Sequence, residues 1–350
     1  MWSFLTATLA AAVIAPAVIA WYKAHGWVDN PEDQRHVKVL HQHAVPRGGG
    51  LVIFGAVLIS SCLFLSFDKH LIGIMFGAAI LVVTGFLDDL YNIHPFYRLA
   101  AGLLASLCVV AAGIGIAYVG NPLGGDVIHL NQPQLALDLF GKTRTIWILA
   151  DLFAVLFIVW NMNIVNWSKG VDGQMPGFVS IAALFIGILS YRFIDDPTQF
   201  GSAQLAFIVS GAFAGLLIWN FYPQRMLPGY GAGSLAGYFL SVLAIVAGAK
   251  VATTLMVLAV PTADAIFAVT RRVIAGKSPW WGDRGHLHHK LMDVLGWGRR
   301  RIAIFYWLMS LLMGLLSLQL NTLGKVITMG VVCSMVFSFL IWAKWRQSQK

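Results

Sequence analysis

Long apolar runs recur along almost the whole chain and constrain its fold more than any other feature. Each covers roughly 16 to 21 residues, the length at which one helix crosses a hydrocarbon core of about 30 Å. Eleven such runs are present: Ser3 to Tyr22, Gly49 to Phe67, Leu71 to Leu87, Leu99 to Val119, Thr145 to Asn161, Pro176 to Tyr191, Ser202 to Phe221, Ser234 to Ala249, Val251 to Val269, Ile302 to Leu320 and Val326 to Ala343. Composition agrees, because 58% of the 350 residues are hydrophobic, only 11% are charged and the mean hydropathy is +0.75. The sequence therefore predicts an all-α fold, a polytopic membrane helical bundle of about eleven transmembrane helices that forms a single domain over residues 1–350.

The basic residues predict how this bundle is oriented. Nothing basic precedes the first run, whereas Lys23 and Arg47 follow it, so we expect a retained helix with its N-terminus outside rather than a cleaved signal peptide. Eleven crossings then place the C-terminus and the loops at about 23–48, 88–98, 162–175, 222–233 and 271–301 in the cytoplasm, and these inside segments hold 18 of the 24 Lys and Arg residues. We expect a multi-pass protein of the inner (plasma) membrane. Its net charge of +9 then reflects topology and contact with the lipid bilayer, and no nucleic acid is expected as a partner.

Two adjacent carboxylates, Asp88 and Asp89, follow the third run. Carboxylates side by side repel each other unless a cation or a shared proton relieves them. Oxygen ligands suit Mg²⁺, which also neutralises phosphate charge. The pair therefore predicts a metal site at the inner end of this helix, and the alternative is a pair of solvated acids at a helix end.

Two glycine-containing turns carry further polar groups. After the fifth run, Asn166 and Lys169 are followed by Asp172, which stands between glycines that permit tight turns. The amide is a candidate ligand for a uracil, ribose or phosphate, and the carboxylate could complete a metal shell or take a proton. Gly233 and Ser234 end a glycine-rich stretch at the start of the eighth run, where free N–H groups bind anions. Each stretch alone is also compatible with an ordinary loop.

The inside loop from Arg271 to Arg301 is rich in basic and imidazole groups. Its candidate residues are Arg272, Asp283, His286, His288 and His289. A zinc site is one interpretation, because imidazole is a good zinc ligand. We favour a diphosphate-binding loop opposite the acidic metal site, since cations and N–H donors stabilise phosphoryl charge.

Two charged residues in other segments are weaker candidates. Asp264 lies inside the ninth run, so it should face the bundle interior with a partner, as either a structural or a site carboxylate. Arg47 precedes three glycines in the first inside loop and is either a clamp for a lipid phosphate or an ordinary flanking charge. The same loop also contains Arg35, His36 and His41.

Taken in order, these motifs resemble those of the polyprenyl-phosphate N-acetylhexosamine-1-phosphate transferase family, over about residues 29 to 290. The matching features are Pro46-Arg47-Gly48-Gly49, Asp88-Asp89, Asn166 with Asp172-Gly173, Gly233-Ser234, Pro261 with Asp264, Arg271-Arg272, and Asp283 ahead of His286-Leu287-His288-His289. The His-x-His-His form resembles the N-acetylglucosamine branch more than the phospho-MurNAc-pentapeptide translocase. The resemblance implies UDP-N-acetylglucosamine or a related UDP-N-acetylhexosamine as donor, undecaprenyl phosphate as acceptor, UMP as leaving group, and Mg²⁺, replaceable by Mn²⁺, as cofactor. The product would initiate a cell-envelope polysaccharide.

Two positions depart from the family pattern. Lys169 and Gly231 stand where the family usually has Asp, and the Asp at the second position is a metal ligand there. Our hypothesis is that the catalytic carboxylates Asp88, Asp89 and Asp172 hold Mg²⁺, while Lys169 supplies a charge to the diphosphate. One of the two adjacent carboxylates would also take a proton from the lipid phosphate.

We expect the remaining candidates to bind the substrates. The donor diphosphate would contact Arg272, His286, His288 and His289, and the lipid phosphate would contact Arg47. Two alternatives stay open: a catalytically impaired family member, which the departures at 169 and 231 suggest, and a transporter, which would place polar residues near the bilayer midplane. The sequence is also compatible with a homodimer.

Overall fold

The computed structural model describes residues 1–30, 43–122, 125–139, 142–193, 195–248, 251–278 and 284–349. Most of these residues form helices: α1 (Trp2–Ala24), α2 (Gly49–Phe64), α3 (Lys69–Tyr91), α4 (Pro95–Ala111), α5 (Ile148–Trp167), α6 (Gln174–Tyr191), α7 (Pro197–Asn220), α8 (Gly229–Val246), α9 (Val251–Val257), α10 (Ala259–Ile274), α11 (Leu287–Leu295), α12 (Arg299–Ser317) and α13 (Thr322–Ser348). Three antiparallel ribbons join some of them: β1 (Val28–Asp29) with β2 (Val45–Pro46), β3 (Tyr118–Val119) with β4 (Ile128–His129), and β5 (Gln134–Leu139) with β6 (Lys142–Trp147). The helical class is confirmed, and the ribbons are the part that the all-α prediction lacked.

Each of the eleven predicted runs contains a helix, but the helices differ in their capacity to cross a membrane. Eight of the described helices are long and apolar enough. Helices α2 and α4 are apolar but shorter, with 16 and 17 residues. Helices α9 and α10 qualify only together and are bent by 80°, so the ninth predicted run is a broken helix rather than a straight one. A multi-pass architecture is confirmed, while the count of eleven crossings and the orientation of the termini stay predictions.

A tight corner between α3 and α4 places two charged groups side by side. Helix α3 ends at Asn92, which adopts a left-handed conformation with φ 50°. Helix α4 begins at Pro95, whose fixed φ suits the first helical position, and the His94 side chain caps the helix by accepting a hydrogen bond from the Phe96 N–H at 3.2 Å. Because the corner is so short, the last turn of α3 faces the first turn of α4.

Helices α2, α3 and α8 approach so closely that only glycine fits at their contact. A Cβ atom added at Gly50 would lie 2.8 Å from the Gly231 Cα, and one added at Gly85 would be in still closer conflict with the same Cα atom. Nearly every residue of α8 is buried, so this helix forms the centre of the bundle. The contact at Gly231 therefore fixes the spacing between the end of α3 and the start of α8.

The ends of successive helices gather at two opposite ends of the bundle. We call the end at which α3 and α5 finish and α4 and α8 begin the site end. At the opposite end, Lys325 Nζ donates a hydrogen bond to Thr253 Oγ1 at 2.8 Å, and the Arg192 guanidinium donates to the Leu318 carbonyl at 3.1 Å. Of the residues that the structure describes, those predicted to carry chemistry lie at the site end.

Candidate active site

Asp88 lies in the last turn of α3 and forms an ion pair with Arg98 near the start of α4. Its Oδ1 atom lies 2.6 Å from Nη2 of Arg98, and Asp88 is only 4% exposed. The Arg98 guanidinium carbon lies 5.5 Å from the centre of the Tyr230 ring, and the Tyr230 hydroxyl donates a hydrogen bond to the Arg98 carbonyl at 3.0 Å. Arg98 is thus held between α3 and α8, with its charge committed to a buried carboxylate.

Asp89 faces the other side of the α3 terminus. Its Oδ2 atom accepts a hydrogen bond from the Tyr22 hydroxyl of α1 at 3.3 Å. Its Oδ1 atom packs against Gly229, where an added Cβ would lie 2.7 Å from that oxygen. Among the described residues this Oδ1 atom is buried without a hydrogen-bond partner. A buried carboxylate oxygen of this kind is available to a donor that arrives with a ligand.

Lys169 brings a positive charge to the same place. It follows the end of α5, and its Nζ atom donates a hydrogen bond to the Gly229 carbonyl at 2.5 Å. Burial lowers the pKa of the Lys169 ammonium group from 10.5 to about 8, although the carboxylates of Asp89 and Asp88 act in the opposite direction. The ammonium group therefore shares one electrostatic environment with both carboxylates.

The glycine-rich start of α8 is used for packing. An added Cβ at Gly233 would overlap the Asn166 side-chain oxygen, so Asn166 lies directly against this helix. The Ser234 hydroxyl hydrogen bonds within α8, to the carbonyls of Tyr230 and Gly231 at 2.9 and 3.1 Å. The structure thus brings Asn166 against Gly233, with Ser234 next along α8, and anion binding at this turn stays a prediction.

Asp172 lies near the site end but pairs with a different helix. Its Oδ2 atom is 3.5 Å from Nη1 of Arg299 at the start of α12. Burial raises the pKa of the Asp172 carboxyl above its usual value, and the positive charge of Arg299 opposes this shift. Gly173, at φ 75°, donates its N–H to the Asn220 side chain at 2.9 Å and so ties this turn to α7.

The described side chains do not form the predicted magnesium shell. Mg²⁺ requires near-octahedral oxygen ligands and retains several waters. Within the described ranges no group of three or more His, Cys, Asp or Glu residues is placed to hold a metal ion, and this holds for the zinc interpretation of the histidines as well. Asp88 and Asp172 each face an arginine, on α4 and α12 respectively, rather than a common centre. Asp88 and Asp172 are therefore paired with protein cations and do not converge with Asp89 on one divalent ion.

Asp264 has the interior partner that its position in the ninth run required. Its Oδ2 atom lies 2.9 Å from Nδ1 of His286, and its Oδ1 atom accepts the Leu287 N–H at 2.7 Å. The other ring nitrogen of His286, Nε2, lies 3.0 Å from Nη2 of Arg272. Because arginine only donates, Nε2 must accept and Nδ1 must carry the proton. His286 and Arg272 therefore hold the histidine loop in place, and direct contact of either residue with the diphosphate stays a prediction.

His288 and His289 lie beyond this buried chain and closer to Lys169. The rings of His286 and His288 are parallel, with centroids 5.7 Å apart, and those of His288 and His289 are 4.3 Å apart. The His288 ring packs so tightly on Gly170 that a Cβ there would overlap it. The loop after α5 and the histidine loop thus meet at a residue adjacent to Lys169.

Arg47 is paired with Asp29 across the β1–β2 ribbon. Its Nε and Nη2 atoms lie 3.2 and 2.9 Å from the same Oδ2 atom. Both residues line a pocket of about 210 Å³ that also reaches Trp27, Asp89 and Asn92. Arg47 is therefore close to the carboxylate pair, as predicted, but a carboxylate partner already holds its charge.

Several residues of the site were absent from the sequence-based prediction. They are Tyr22, Asp29, Arg98, Tyr230 and Arg299. Arg98 had a readable signal, since it follows a proline that starts a helix only a few residues after the carboxylate pair. The predicted residues Arg35, His36, His41 and Asp283 lie outside the described residues.

The sequence of this chain is similar to those of lipid-linked sugar transferases. The chain is 24% identical over 329 residues to a probable undecaprenyl-phosphate N-acetylglucosaminyl 1-phosphate transferase of Bacillus subtilis, covering 91% of this chain and 84% of that protein. It is 25% identical over 333 residues to a decaprenyl-phosphate N-acetylglucosaminephosphotransferase of Mycolicibacterium smegmatis, covering 85% and 77%. A phospho-N-acetylmuramoyl-pentapeptide-transferase of Campylobacter jejuni is 25% identical over 347 residues, covering 90% and 92%.

The family model described as glycosyl transferase family 4 matches residues 71–248, from the start of α3 to the end of α8. This region contains the carboxylate pair, Arg98, Lys169 and Asp172. The match covers more than half of the chain, and the resemblance seen in the motifs is confirmed. This protein belongs to glycosyl transferase family 4.

Proposed function

We propose that this protein transfers N-acetylglucosamine 1-phosphate, or the 1-phosphate of a related N-acetylhexosamine, from a UDP-sugar to a polyprenyl phosphate such as undecaprenyl phosphate. The relatives from Bacillus and Mycolicibacterium, whose similarity covers 91% and 85% of this chain, carry names of this activity. The observation that carries the proposal is the placement of Lys169 and Arg98 with Asp88 and Asp89 at one end of an apolar bundle. Phosphate-binding cations at helix ends suit two substrates that both carry phosphate, one of which is a lipid.

The reaction joins the two phosphates. An oxygen of the acceptor phosphate attacks the β-phosphorus of the donor in line. The bond from that phosphorus to the bridging oxygen breaks, and UMP departs with that oxygen and its electron pair. The product is a sugar linked to the lipid through a diphosphate. Little covalent chemistry is required of the protein, so its contribution is to position the phosphates and absorb their charge.

We assign the donor diphosphate to Lys169, His288 and His289. The His288 ring packs on Gly170, which brings the histidine loop next to the ammonium group of Lys169. Asp264 and Arg272 support this arrangement through their contacts with His286 and are positioning residues. The charge that develops on the departing UMP would be met by these cations and N–H donors.

We assign the acceptor phosphate to Arg98, because its Nε atom is buried without a hydrogen-bond partner among the described residues while Nη2 pairs with Asp88. A pocket of about 90 Å³ between α4 and α5 has Arg98, Asn166 and Tyr230 at its polar part and Leu99 and Met162 at its apolar part. Such a pocket matches a phosphate attached to an isoprenoid chain. Asp89 lies next to Asp88 in the last turn of α3, and its Oδ1 atom is buried without a hydrogen-bond partner among the described residues. We propose that this oxygen takes a proton from the acceptor phosphate.

The site end is proposed to face the cytoplasm of a cell whose inner membrane holds the bundle. Most of the Lys and Arg residues of the chain lie in loops that our topology assigns to this side, as the positive-inside rule requires. Cysteine-accessibility labelling of intact cells and of inverted vesicles measures the orientation. Labelling of an introduced cysteine at Lys277 only from outside intact cells would contradict it.

A non-catalytic family member is the second candidate, and the structure contains the observation that favours it. Lys169 and Gly231 stand where the family pattern has carboxylates, and Asp88 and Asp172 pair with protein cations. A transporter fits less well, since the polar groups gather at one end and the interior Asp264 is bound to His286.

The transferase and its rival are separated by one assay. Detergent-purified protein is mixed with undecaprenyl phosphate and UDP-N-acetylglucosamine labelled in the sugar. Lipid-linked label with one UMP released per sugar transferred is the expected result. Donor binding without any transfer identifies the non-catalytic form, and absence of both binding and transfer with every UDP-N-acetylhexosamine contradicts the proposal.

A matched pair of variants locates the activity. Asp89→Asn removes the carboxylate charge at the site, and we expect the transfer rate to fall by about a hundredfold or more. Asp293→Asn makes the same change on α11, where the side chain pairs with Arg284 away from the cluster. The control should keep the wild-type rate, and equal rates in both variants would remove Asp89 from the site.

A further inference from the structure

The carboxylates at the end of α3 are balanced by two side chains of the protein itself. Asp88 forms its ion pair with Arg98 at 2.6 Å. The ammonium group of Lys169 interacts electrostatically with Asp89 and, more weakly, with Asp88. Arg47 also acts on both carboxylates, but its charge is paired with Asp29. Apart from that pair, two positive charges stand against two negative ones, which is the charge that a single divalent ion would supply.

A specific hydrogen bond holds the Lys169 side chain in its position. Its Nζ atom is anchored to the Gly229 carbonyl at 2.5 Å, and Gly229 is the residue against which Asp89 Oδ1 packs. Gly229 has φ 65°, so its backbone adopts a conformation that favours glycine and turns the carbonyl toward the lysine. Gly229, at the start of α8, therefore contacts both Asp89 and Lys169.

Close packing against α8 leaves little room for a hydrated metal ion on that side of Asp89, whose other side lines the pocket of Arg47. The carboxylate oxygen of Asp89 lies in direct contact with Gly229, and Gly231 packs between the backbones of α2 and α3. Mg²⁺ retains several waters and demands near-ideal octahedral geometry, whereas an ammonium group needs room only for itself and three acceptors. Within the described residues the pair is not joined by a third carboxylate or histidine, so a bound Mg²⁺ would depend on these two side chains, waters and substrate phosphates.

We infer that Lys169 is the built-in cation of this site: its ammonium group takes the place of a divalent metal ion between the Asp88 and Asp89 pair and the diphosphate of the donor. The protein therefore binds its donor without Mg²⁺. The identity of the donor rests on the proposed function, but the replacement of the metal by Lys169 does not. Changing Lys169 to Asp lowers the charge of the cluster by two and should convert it into a site that recruits a divalent ion.

The first measurement uses the wild-type protein. Binding of UDP-N-acetylglucosamine to detergent-purified protein is measured by calorimetry in millimolar MgCl₂ and in millimolar EDTA. We expect the two Kd values to agree within about twofold, and we expect Mg²⁺ alone to leave Tm unchanged. Donor binding that disappears in EDTA, or a wild-type Tm that rises with Mg²⁺, overturns the inference.

The second measurement compares three variants by their Tm with and without Mg²⁺. Lys169→Asp should gain about 3 °C or more in saturating Mg²⁺. Lys277→Asp makes the same charge change at an exposed position after α10, at the same end of the bundle, and should gain nothing. Lys169→Gln should bind the donor about tenfold more weakly with no response to Mg²⁺, because neither charge is present. A Lys169→Asp variant that ignores Mg²⁺ contradicts the inference.

Failure of this inference is distinguishable from failure of the proposed function. If the wild-type protein binds no UDP-sugar at all, the proposed function fails, and the Tm responses to Mg²⁺ still decide whether Lys169 replaces the metal. If Lys169→Asp does not fold, the wild-type comparison of MgCl₂ with EDTA and the Lys169→Gln variant decide it.

Discussion

Asp264, His286 and Arg272 form a buried hydrogen-bonded row. Replacing Asp264 by Asn removes the negative charge from this row and keeps the size and shape of the side chain. In the wild-type protein Asp264 accepts two hydrogen bonds, from the Leu287 N–H at 2.7 Å and from His286 Nδ1 at 2.9 Å. The new amide oxygen can keep the bond to Leu287, so its NH₂ group must face His286. The histidine then has to move its proton to Nε2, toward Arg272.

With the proton on Nε2, the N–H groups of His286 and Arg272 face each other. The Nε2 atom lies 3.0 Å from Nη2 of Arg272, and neither group could then accept. A buried donor without a partner costs about 1–3 kcal/mol, and the lost charge-assisted bond has a similar value. We therefore expect Asp264→Asn to lower the free energy of unfolding by about 3 kcal/mol.

A double-mutant cycle tests this explanation directly. Arg272→Met removes the second donor, so Asp264→Asn should cost about 1–2 kcal/mol less in that background than in the wild type. Unfolding of detergent-solubilised protein, followed by tryptophan fluorescence, gives the four free energies. Ring-nitrogen chemical shifts of His286 report the tautomer in each variant. Additive costs, or a proton on Nε2 in the wild-type protein, would refute the reasoning.

Three further predictions follow from single contacts. Gly231→Ala adds a Cβ 3.1 Å from the α2 backbone and should lower the free energy of unfolding by about 1–3 kcal/mol, whereas Gly330→Ala, with no neighbour within 4 Å, should not lower it. Burial lowers the pKa of Lys169 from 10.5 to about 8, so the unfolded chain binds more protons between these values; the Tm should rise as the pH increases from about 8 to 10, and Lys169→Met should abolish that rise. Arg299→Met leaves the buried Asp172 carboxylate without its cation and should lower the Tm by about 4 °C or more, as measured by thermal unfolding at pH 7.

The helices were predictable because apolar length alone determines where a chain crosses a bilayer. The break in the ninth run also had a signal, since Pro261 occupies the first turn of α10 and prolines favour helix starts. The continuous hydrophobicity of that run masked the signal. The partner of Asp264 could not be read from the sequence, because it depends on how the loop before α11 folds back onto α10.

Ion pairing at the site end was the least predictable feature. Asp88, Asp89 and Asp172 all looked like ligands for one ion, because sequence shows which groups carry charge but not which opposite charge lies nearest. Asp88 pairs with Arg98 because the α3–α4 corner is short, and Asp172 pairs with Arg299 because the start of α12 lies beside it. Partner choice is therefore a property of helix ends that only the assembled bundle defines.

The two departures from the family pattern belong to one arrangement. Gly231 meets Gly85 of α3 and Gly50 of α2, and a Cβ added at Gly231 would lie 3.1 Å from the Gly50 Cα atom, so the three backbones approach closely here. The same approach packs Asp89 against Gly229, and the Gly229 carbonyl then anchors Lys169 beside the carboxylate. A side chain at 231 would separate the helices, and a carboxylate at 169 would leave the pair of aspartates without a charge to balance them. Restoring Asp at 169 therefore leaves carboxylates that need a divalent ion, whereas restoring Asp at 231 alone disturbs the helix contact while Lys169 still stands beside the pair.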